Sequence, residues 1–510
     1  MNHKKYRMLS DSEKRNEIYY VIGLDIGNEA AGIAFYNLAE NAAETIDLSG
    51  GYGKPSIPTV MQYIAETKEW VFGEYAVLNR GVGTVFSALL EKMGRFDYLD
   101  VGGRSVSVAG VFALFIKEIL GSVKSINPKA EIVGIVASVP AYFSAPAQEE
   151  FTRVFKLAGY EKELISLVAD RECVLAHHYR KPPQSAENTL LLDLGSGELR
   201  GGLYNVAEKN GALNAVSMSS VFSDGISMAA LGADVERLFE AFLPQDGTAE
   251  NFKEQLLEFT YTHKDMLFQK NIRTKPLKLY YNFVYPPAQH TLTNEQVDEL
   301  VAPYAARFND FIANVLEKNL SENPITPAQV DAVLCVGGGF EMLWAKEAVT
   351  AIFPKERVHF YKNPKMITAE GAALIAAREL EIDGTPLFIE DKHQLKNDIG
   401  LSCGENFLTL VERNGFWWQK HSSKLVLVNG EVNGEIDLLL TELAPTGESR
   451  EISALRLDGL PPRPKGVTRL KIGLAFRSNT ELTVKVSDIG FGELFPKTDY
   501  VREFVVRLGE

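Results

Sequence analysis

From about residue 20 to residue 380, short runs that are apolar at nearly every position alternate with longer stretches whose apolar positions return at helical spacing. The short runs predict strands buried on both faces, at Tyr20 to Leu24, Glu131 to Pro140, Leu164 to Val168 and Leu190 to Leu194. Further strands are expected at Trp70 to Gly73, Gly201 to Val206 and Ala215 to Phe222. Helices are expected at Val106 to Ile126, Ala147 to Gly159, Arg171 to Tyr179, Ala233 to Phe242, Thr248 to Lys270, Asn294 to Asn319, Met342 to Ile352 and Glu370 to Leu380. This alternation is an α/β pattern. After Asp398 the texture changes: LTLVERNG, KLVLVNGEVNGEIDLLLTEL, RLKIGLAF and ELTVKVSD alternate apolar and polar residues between turn signals, as an antiparallel β-domain of about 110 residues does. The charged stretch IEDKHQLKND separates the two textures, and DGLPPRPKG is a stiff connection between two β-domain strands. The resulting division is a flexible tail at 1–19, an α/β region at 20–388, a linker at 389–398 and a β-domain at 399–510.

A single design occurs twice within the α/β region. VIGLDIGNEAAGIAFY (Val21 to Tyr36) and TLLLDLGSGELRGGLY (Thr189 to Tyr204) each run from an apolar strand through Asp-x-Gly into a second strand, with Asp25 and Asp193 about 168 residues apart. A third glycine turn, Gly337-Gly338-Gly339, follows the apolar strand DAVLCV. Glycine lets backbone N–H groups approach phosphate oxygens, and Asp25 and Asp193 can hold Mg²⁺ or its waters so that the metal neutralises the phosphates. A single Asp-x-Gly is equally a plain hairpin turn. Two copies and a third glycine turn instead describe a nucleotide cleft between the halves of a duplicated domain.

Composition narrows the functions. A formal net charge of -14 argues against general nucleic-acid binding, which needs clustered Lys and Arg. No apolar run reaches the roughly 18 to 20 residues of a membrane span, and the charged start lacks a signal-peptide core. Three widely spaced cysteines, Cys173, Cys335 and Cys403, fit a reducing cytoplasm better than a disulfide framework. Adjacent His177 and His178 on a helix diverge, so they make a poor metal pair.

Beyond these loops, VASVPAYFSAPAQEEFTRVFKLAGY (Val136 to Tyr160), VGGGFEM, NPKMITAEGAALIA (Asn363 to Ala376) and DGLPPRPKGVTRLKIGLAF resemble an Hsp70-type chaperone of the actin, hexokinase and Hsp70 superfamily. The resemblance implies a duplicated two-lobed nucleotide-binding domain followed by an antiparallel β-sandwich. It implies ATP or ADP with Mg²⁺ as cofactors and unfolded or extended polypeptide as the partner. Gly27, Asn28, Glu29, Gly195, Ser196 and Gly197 would lie at the phosphates and Gly337, Gly338, Gly339 and Glu341 at the adenosine, with Lys264 also among the nucleotide-binding positions. Asp25 and Asp193 would organise the metal and, with Lys92, form the catalytic set.

Against the family pattern the chain also shows departures. Asn28 and Glu29 replace two threonines of the family, and Glu198 and Arg200 replace a threonine and an aspartate in the second loop. Leu89 or Leu90 stands where a lysine orients the attacking water, which leaves Lys92 as the nearest candidate. Arg171 replaces an acid and Glu341 an arginine. These changes can be read as divergence with compensation, in which Arg171 and Arg200 balance Glu29 and Glu198 as new ion pairs and hydrolysis survives slowly, or as a degenerate ATPase that binds nucleotide weakly or not at all and uses the fold as a scaffold. Few residues follow the β-domain, so the family's helical lid is expected to be missing, and the linker is more polar than the family's. Phe416-Trp417-Trp418 offers either an apolar contact surface or core packing. Phosphoryl transfer depends on positioned charge, so hydrolysis is expected to be weak or impaired. The readings left are an ATP-regulated chaperone with ATPase activity, or a non-hydrolysing nucleotide sensor or scaffold with one dedicated protein partner. A small-molecule kinase has no use for the β-domain.

Overall fold

The computed structural model describes residues 19–508 apart from 39, 49–54, 142, 144, 224, 244–251, 268–275, 318–324, 383–385, 392–394, 396, 405, 414–422 and 479–480. All but the last residue of the expected tail, several residues of the expected linker and the Phe416-Trp417-Trp418 cluster lie outside the described residues. Two compact units result, with the main boundary in sequence between Glu390 and Asp391.

The first unit is mixed α/β and holds two six-stranded sheets of one plan. In the first sheet the order is Leu164–Ala169, Glu131–Val139, Tyr19–Ile26, Ala30–Asn37 and Ala42–Thr45, with Ser56–Pro58 also paired to Ala30–Asn37. In the second it is Val358–Phe360, Ala332–Val336, Glu187–Leu194, Leu199–Lys209, Ala212–Ser223 and Leu387–Asp391. Each sheet is built on a central apolar strand that pairs antiparallel with the strand after it and parallel with one reached by a crossover. Those central strands carry Asp25 and Asp193 near their ends. The repeat along the chain is thus a repeat of hydrogen-bonding pattern. Leu387–Asp391, which overlaps the start of the expected linker, is the edge strand of the second sheet.

Helix Ile367–Glu379 comes late in the chain but packs on the first sheet. Its Ala369, Ala372, Ala373 and Ala376 are buried with Val21, Ala34 and Val136. The approach is possible only because both sides are small: a Cβ on Gly23 would lie 2.1 Å from Ala369 O, and one on Gly371 would lie 1.8 Å from Cys173 O in helix Asp170–His178. His177 Nε2 meets Glu370 Oε2 at 2.8 Å across the same helix pair. The expected helix Val106 to Ile126 starts later, at Val108, because Ser107 ends a strand and caps the helix by accepting from the Gly110 N–H at 3.1 Å. Short hairpins at Tyr98–Val101 with Arg104–Ser107 and at Leu277–Tyr281 with Ala288–Leu292 were not expected from the hydrophobic pattern. Among the described residues no helix is long and apolar enough to cross a membrane.

The second unit contains two four-stranded antiparallel sheets. Their orders are Asn406–Val411, Asp398–Cys403, Glu435–Leu443, Ser449–Asp458, and Lys424–Val428, Thr468–Ser478, Glu481–Asp488, Val501–Arg507. Alternate residues of both sheets, among them Leu401, Leu440, Leu455, Ile472, Val484 and Val506, enter one apolar core. The proline-rich connection is clamped to this core by Arg463, whose Nη1 and Nη2 each donate to Asp488 at 2.7 Å, while Nη2 also donates to Pro496 O at 2.8 Å. Arg463 and Asp488 are 5% and 4% exposed, so neither charge can turn to water if the other is lost.

Burial alone would raise the Asp488 carboxyl, but hydrogen bonds from Arg463, Gly490 and Thr498 outweigh it and hold the group below its ordinary value of 3.8. Its contribution to stability is therefore complete above that value and is lost as pH falls through the lower folded value. Arg463→Ala is expected to destabilise the second unit by about 3–5 kcal/mol, read as a lower urea midpoint at pH 7. A midpoint unchanged from wild type would contradict this role.

Candidate functional site

The two Asp-x-Gly segments form the same turn. The Gly27 N–H donates to Ala30 O at 2.9 Å and the Gly195 N–H donates to Glu198 O at 3.0 Å. Both glycine amides are therefore engaged in closing their turns. The strand register sets Asp25 opposite Gly32 and Asp193 opposite Arg200. The second loop is also tied to the start of helix Met228–Ala241, since the Met228 and Ala229 N–H groups donate to Gly195 O and Ser196 O at 3.0 and 2.9 Å.

The third turn lies directly on the second. Gly337 has φ 85° and ψ 155°, a conformation essentially confined to glycine. A Cβ there would lie 2.4 Å from Asp193 Oδ1, and one on Gly339 would lie 2.1 Å from the Leu194 side chain. Lys365 runs over the same turn, with its side chain 2.3 Å from the position of a Cβ on Gly338. Glu341 ends the short 3-10 helix Gly338–Glu341 and is exposed.

The first loop faces the second. Asn28 Nδ2 is 3.9 Å from the position a Cβ on Gly197 would take, and the Glu29 carboxylate is hydrogen-bonded to Ser196. Lys264 Nζ, from helix Phe252–Leu267, donates to Glu29 Oε1 at 2.6 Å, and Lys365 adds its charge nearby. Burial would raise the Glu29 carboxyl, but the two lysines and Ser196 together hold it below its ordinary value. Asn28 Nδ2 donates to Glu91 Oε1 at 2.8 Å, so it is Glu91 that reaches the first loop, next to Lys92 in the one-turn helix Leu90–Lys92. Leu89 and Leu90 are buried.

Behind the loops sits an acidic group with one cation. Asp25 accepts a hydrogen bond from Ser138 Oγ, yet its carboxyl is pushed up to about 7, chiefly by burial and further by Asp193 and Asp170. Asp193 is raised to about 6, again chiefly by burial, with Arg200 opposing and Asp170 and Glu198 adding to the rise. Arg200 Nε donates to Glu198 Oε1 at 2.8 Å, Nη1 is ion-paired with Asp170, and Nη1 is 4.0 Å from Asp193 Oδ2. The Arg200–Glu198 pair of the compensation account is present. Glu29, which the compensation account matches with an arginine, is instead paired with Lys264, because helix Phe252–Leu267 brings that lysine to the first loop; Arg171 is itself buried.

The structure thus brings together Asp25, Asn28, Glu29, Asp193, Ser196, Gly197, Gly337, Gly338 and Lys264. Ser138, Asp170 and Lys365 are site residues that sequence reasoning did not single out. Ser138 carried a faint signal, as a hydroxyl near the end of the otherwise apolar strand Glu131–Val139.

The donor set suits a hard divalent cation. Asp25, Asp193 and the buried Asn28 Oδ1, which lacks a hydrogen-bond partner among the described residues, are all oxygen acceptors for a cation or its waters. No three His, Cys, Asp or Glu side chains among the described residues are grouped to hold a metal alone, so remaining ligands would come from water or from a bound anion.

The raised carboxyls carry a cost that can be measured. Between pH 3.8 and about 7 folded Asp25 keeps a proton that the unfolded chain releases, so native stability falls as pH rises through this window. Asp25→Asn is expected to stabilise the unliganded chain by roughly 2 kcal/mol at pH 8 and by little at pH 4. Thermal unfolding at the two pH values checks this, and an equal effect at both would contradict it.

Two family profiles match the chain. One described as "Domain of unknown function (DUF8552)" covers residues 394–508, and one described as "Family of unknown function (DUF5716) C-terminal" covers residues 42–212. Among curated relatives, the chain is 23% identical over 521 residues to heat shock 70 kDa protein 7, chloroplastic, of Arabidopsis thaliana, covering 93% of this chain and 68% of that protein. It is 25% identical over 390 residues to the chaperone protein DnaK of Prochlorococcus marinus (strain MIT 9515), covering 71% of this chain and 56% of DnaK. Along most of its length, the chain is similar to Hsp70-type chaperones at 23–25% identity.

Proposed function

We propose that the chain is an Hsp70-like chaperone whose duplicated α/β unit is a two-lobed cleft for ATP or ADP with Mg²⁺, and whose β-unit is a sandwich that binds extended polypeptide. The observation that carries this reading is the packing of the third glycine turn on Asp193 and Leu194 of the second, with the first loop meeting the second through Asn28 beside Gly197 and Glu29 on Ser196. Mg²⁺ bound with the nucleotide would supply the positive charge that neutralises the phosphates. Asp25 and Asp193 would hold that cation or its waters in their ionised form, and Ser138 fixes the Asp25 carboxyl by donating to it. Arg200 already brings one positive charge to the same carboxylates.

Hydrolysis by this cleft is weak in our reading. Leu89 and Leu90 cannot orient a water molecule, and Glu29 and Glu198 add negative charge where a transition state rich in negative charge needs donors. Replacing both by threonine is expected to raise the single-turnover rate of ATP hydrolysis at least tenfold. An unchanged rate would remove charge at the loops as the cause. The second reading, a sensor or scaffold with one dedicated partner, is favoured by the ion pairs Glu29–Lys264 and Arg200–Glu198, which satisfy the loops from within the chain. Nucleotide binding without turnover in that experiment would select it.

For the β-unit, the two outer strands of one sheet support capture of an extended chain by strand addition. Strand Lys424–Val428 exposes Leu425 and Leu427, and the opposite edge strand exposes Val501 and Val505. Leu425→Glu combined with Leu427→Glu is expected to weaken binding of an unstructured apolar peptide at least tenfold in fluorescence anisotropy with an unchanged urea midpoint. Full binding by that variant would exclude this edge.

A further inference from the structure

One carboxylate in the cleft, its side chain still 41% exposed, is held by groups that would otherwise receive an anionic ligand. Glu29 sits in the first loop, yet its partners come from three other segments of the site. Ser196 of the second loop hydrogen-bonds it, Lys264 of helix Phe252–Leu267 donates to it at 2.6 Å, and Lys365, packed on the third turn at Gly338, adds a second positive charge. A hydroxyl, a directed ammonium and a further lysine around a single anion are the recognition set of a phosphoryl group, here satisfied by a side chain of the same chain. The loops around it are already close, with Asn28 Nδ2 3.9 Å from the Cβ position of Gly197.

We propose that Glu29 is a built-in occupant of the outermost phosphate position, held on Lys264, so that the cleft selects nucleotides by phosphate number and takes a nucleoside diphosphate in preference to the triphosphate. This rests on the reading of the cleft as a nucleotide site. A diphosphate can be held by the inner end of the cleft, where Asp25 and Asp193 gather a cation, while Glu29 keeps Lys264. A triphosphate brings a third phosphoryl group to Lys264 and must displace Glu29, which then faces the ligand as a like charge without its partner. Selectivity thus comes from repulsion written into the loop, and it should respond to the charge at Glu29 while the rest of the site stays intact.

The test is calorimetric titration of the full chain, wild type and Glu29→Gln, with Mg-ADP and with Mg-ATP under conditions where no turnover is detected. Gln keeps the shape of the side chain and the hydrogen bond to Ser196 while removing the charge. The wild type is expected to bind Mg-ADP at least tenfold more tightly than Mg-ATP, and Glu29→Gln is expected to bring the two within about threefold, mainly by tightening Mg-ATP. Equal affinities in the wild type, or a ratio that Glu29→Gln leaves unchanged, would overturn the role of Glu29 while leaving the nucleotide cleft in place. Failure of both proteins to bind either nucleotide, with circular dichroism spectra matching between them, would overturn the cleft itself and this inference with it.

Discussion

Two half-buried carboxyl groups at equivalent strand ends set the constraint on this molecule. Asp25 and Asp193 come from the two copies of one hairpin, and desolvation, with repulsion from neighbouring carboxylates, raises them to about 7 and about 6, near the balance between acid and anion. A fold built for stability alone would not place them there, since a neutral side chain of the same size would cost less. They make sense as groups that wait for positive charge. Arg200, bound to Glu198 and Asp170, supplies some of that charge from within the chain.

The duplicated sheets explain how the carboxyls meet. Each hairpin turn is closed by the same backbone hydrogen bond, from Gly27 to Ala30 and from Gly195 to Glu198, and each central strand delivers its Asp to the loop that follows. The first sheet is then covered by helix Ile367–Glu379, which comes after the second repeat in sequence, with backbone contact at Gly23 and Gly371 allowing no larger side chain. The two repeats are thus tied together by chain connectivity as well as by the site. The loops carry charge of both signs, Glu29 on Lys264 and Arg200 on Glu198.

Much of this was legible in the residues because it is local. Buried strands announce themselves as apolar runs, and the turn at Asp25 to Gly27 has the same form as the turn at Asp193 to Gly195. The alternation after Asp398 matches the antiparallel pairing found there. What escaped is set by tertiary contact. Nothing near Lys264 in sequence points to Glu29, 235 residues away, nor does anything near Lys365 mark it as a member of the same charge cluster. On the compensation account Glu29 is therefore matched with an arginine, whereas a lysine on a distant helix serves it. The hairpin at Tyr98–Val101 has little buried apolar surface to announce it, the strand at Leu277–Tyr281 is short although Leu277, Leu279 and Tyr281 alternate onto the core, and the Pro-rich connection revealed its stiffness but not the buried Arg463–Asp488 pair that fastens it.

The most direct test of the central claim is the proton balance of nucleotide binding. A cation drawn between Asp25 and Asp193 must ionise both carboxyls, so calorimetric titration of the full chain with Mg-ADP at pH 6.5, in buffers of different ionisation enthalpy, should show release of about one proton per nucleotide. The release should disappear in the chain carrying Asp25→Asn and Asp193→Asn together. Binding that releases no proton, or release that survives loss of both carboxyls, would contradict the account.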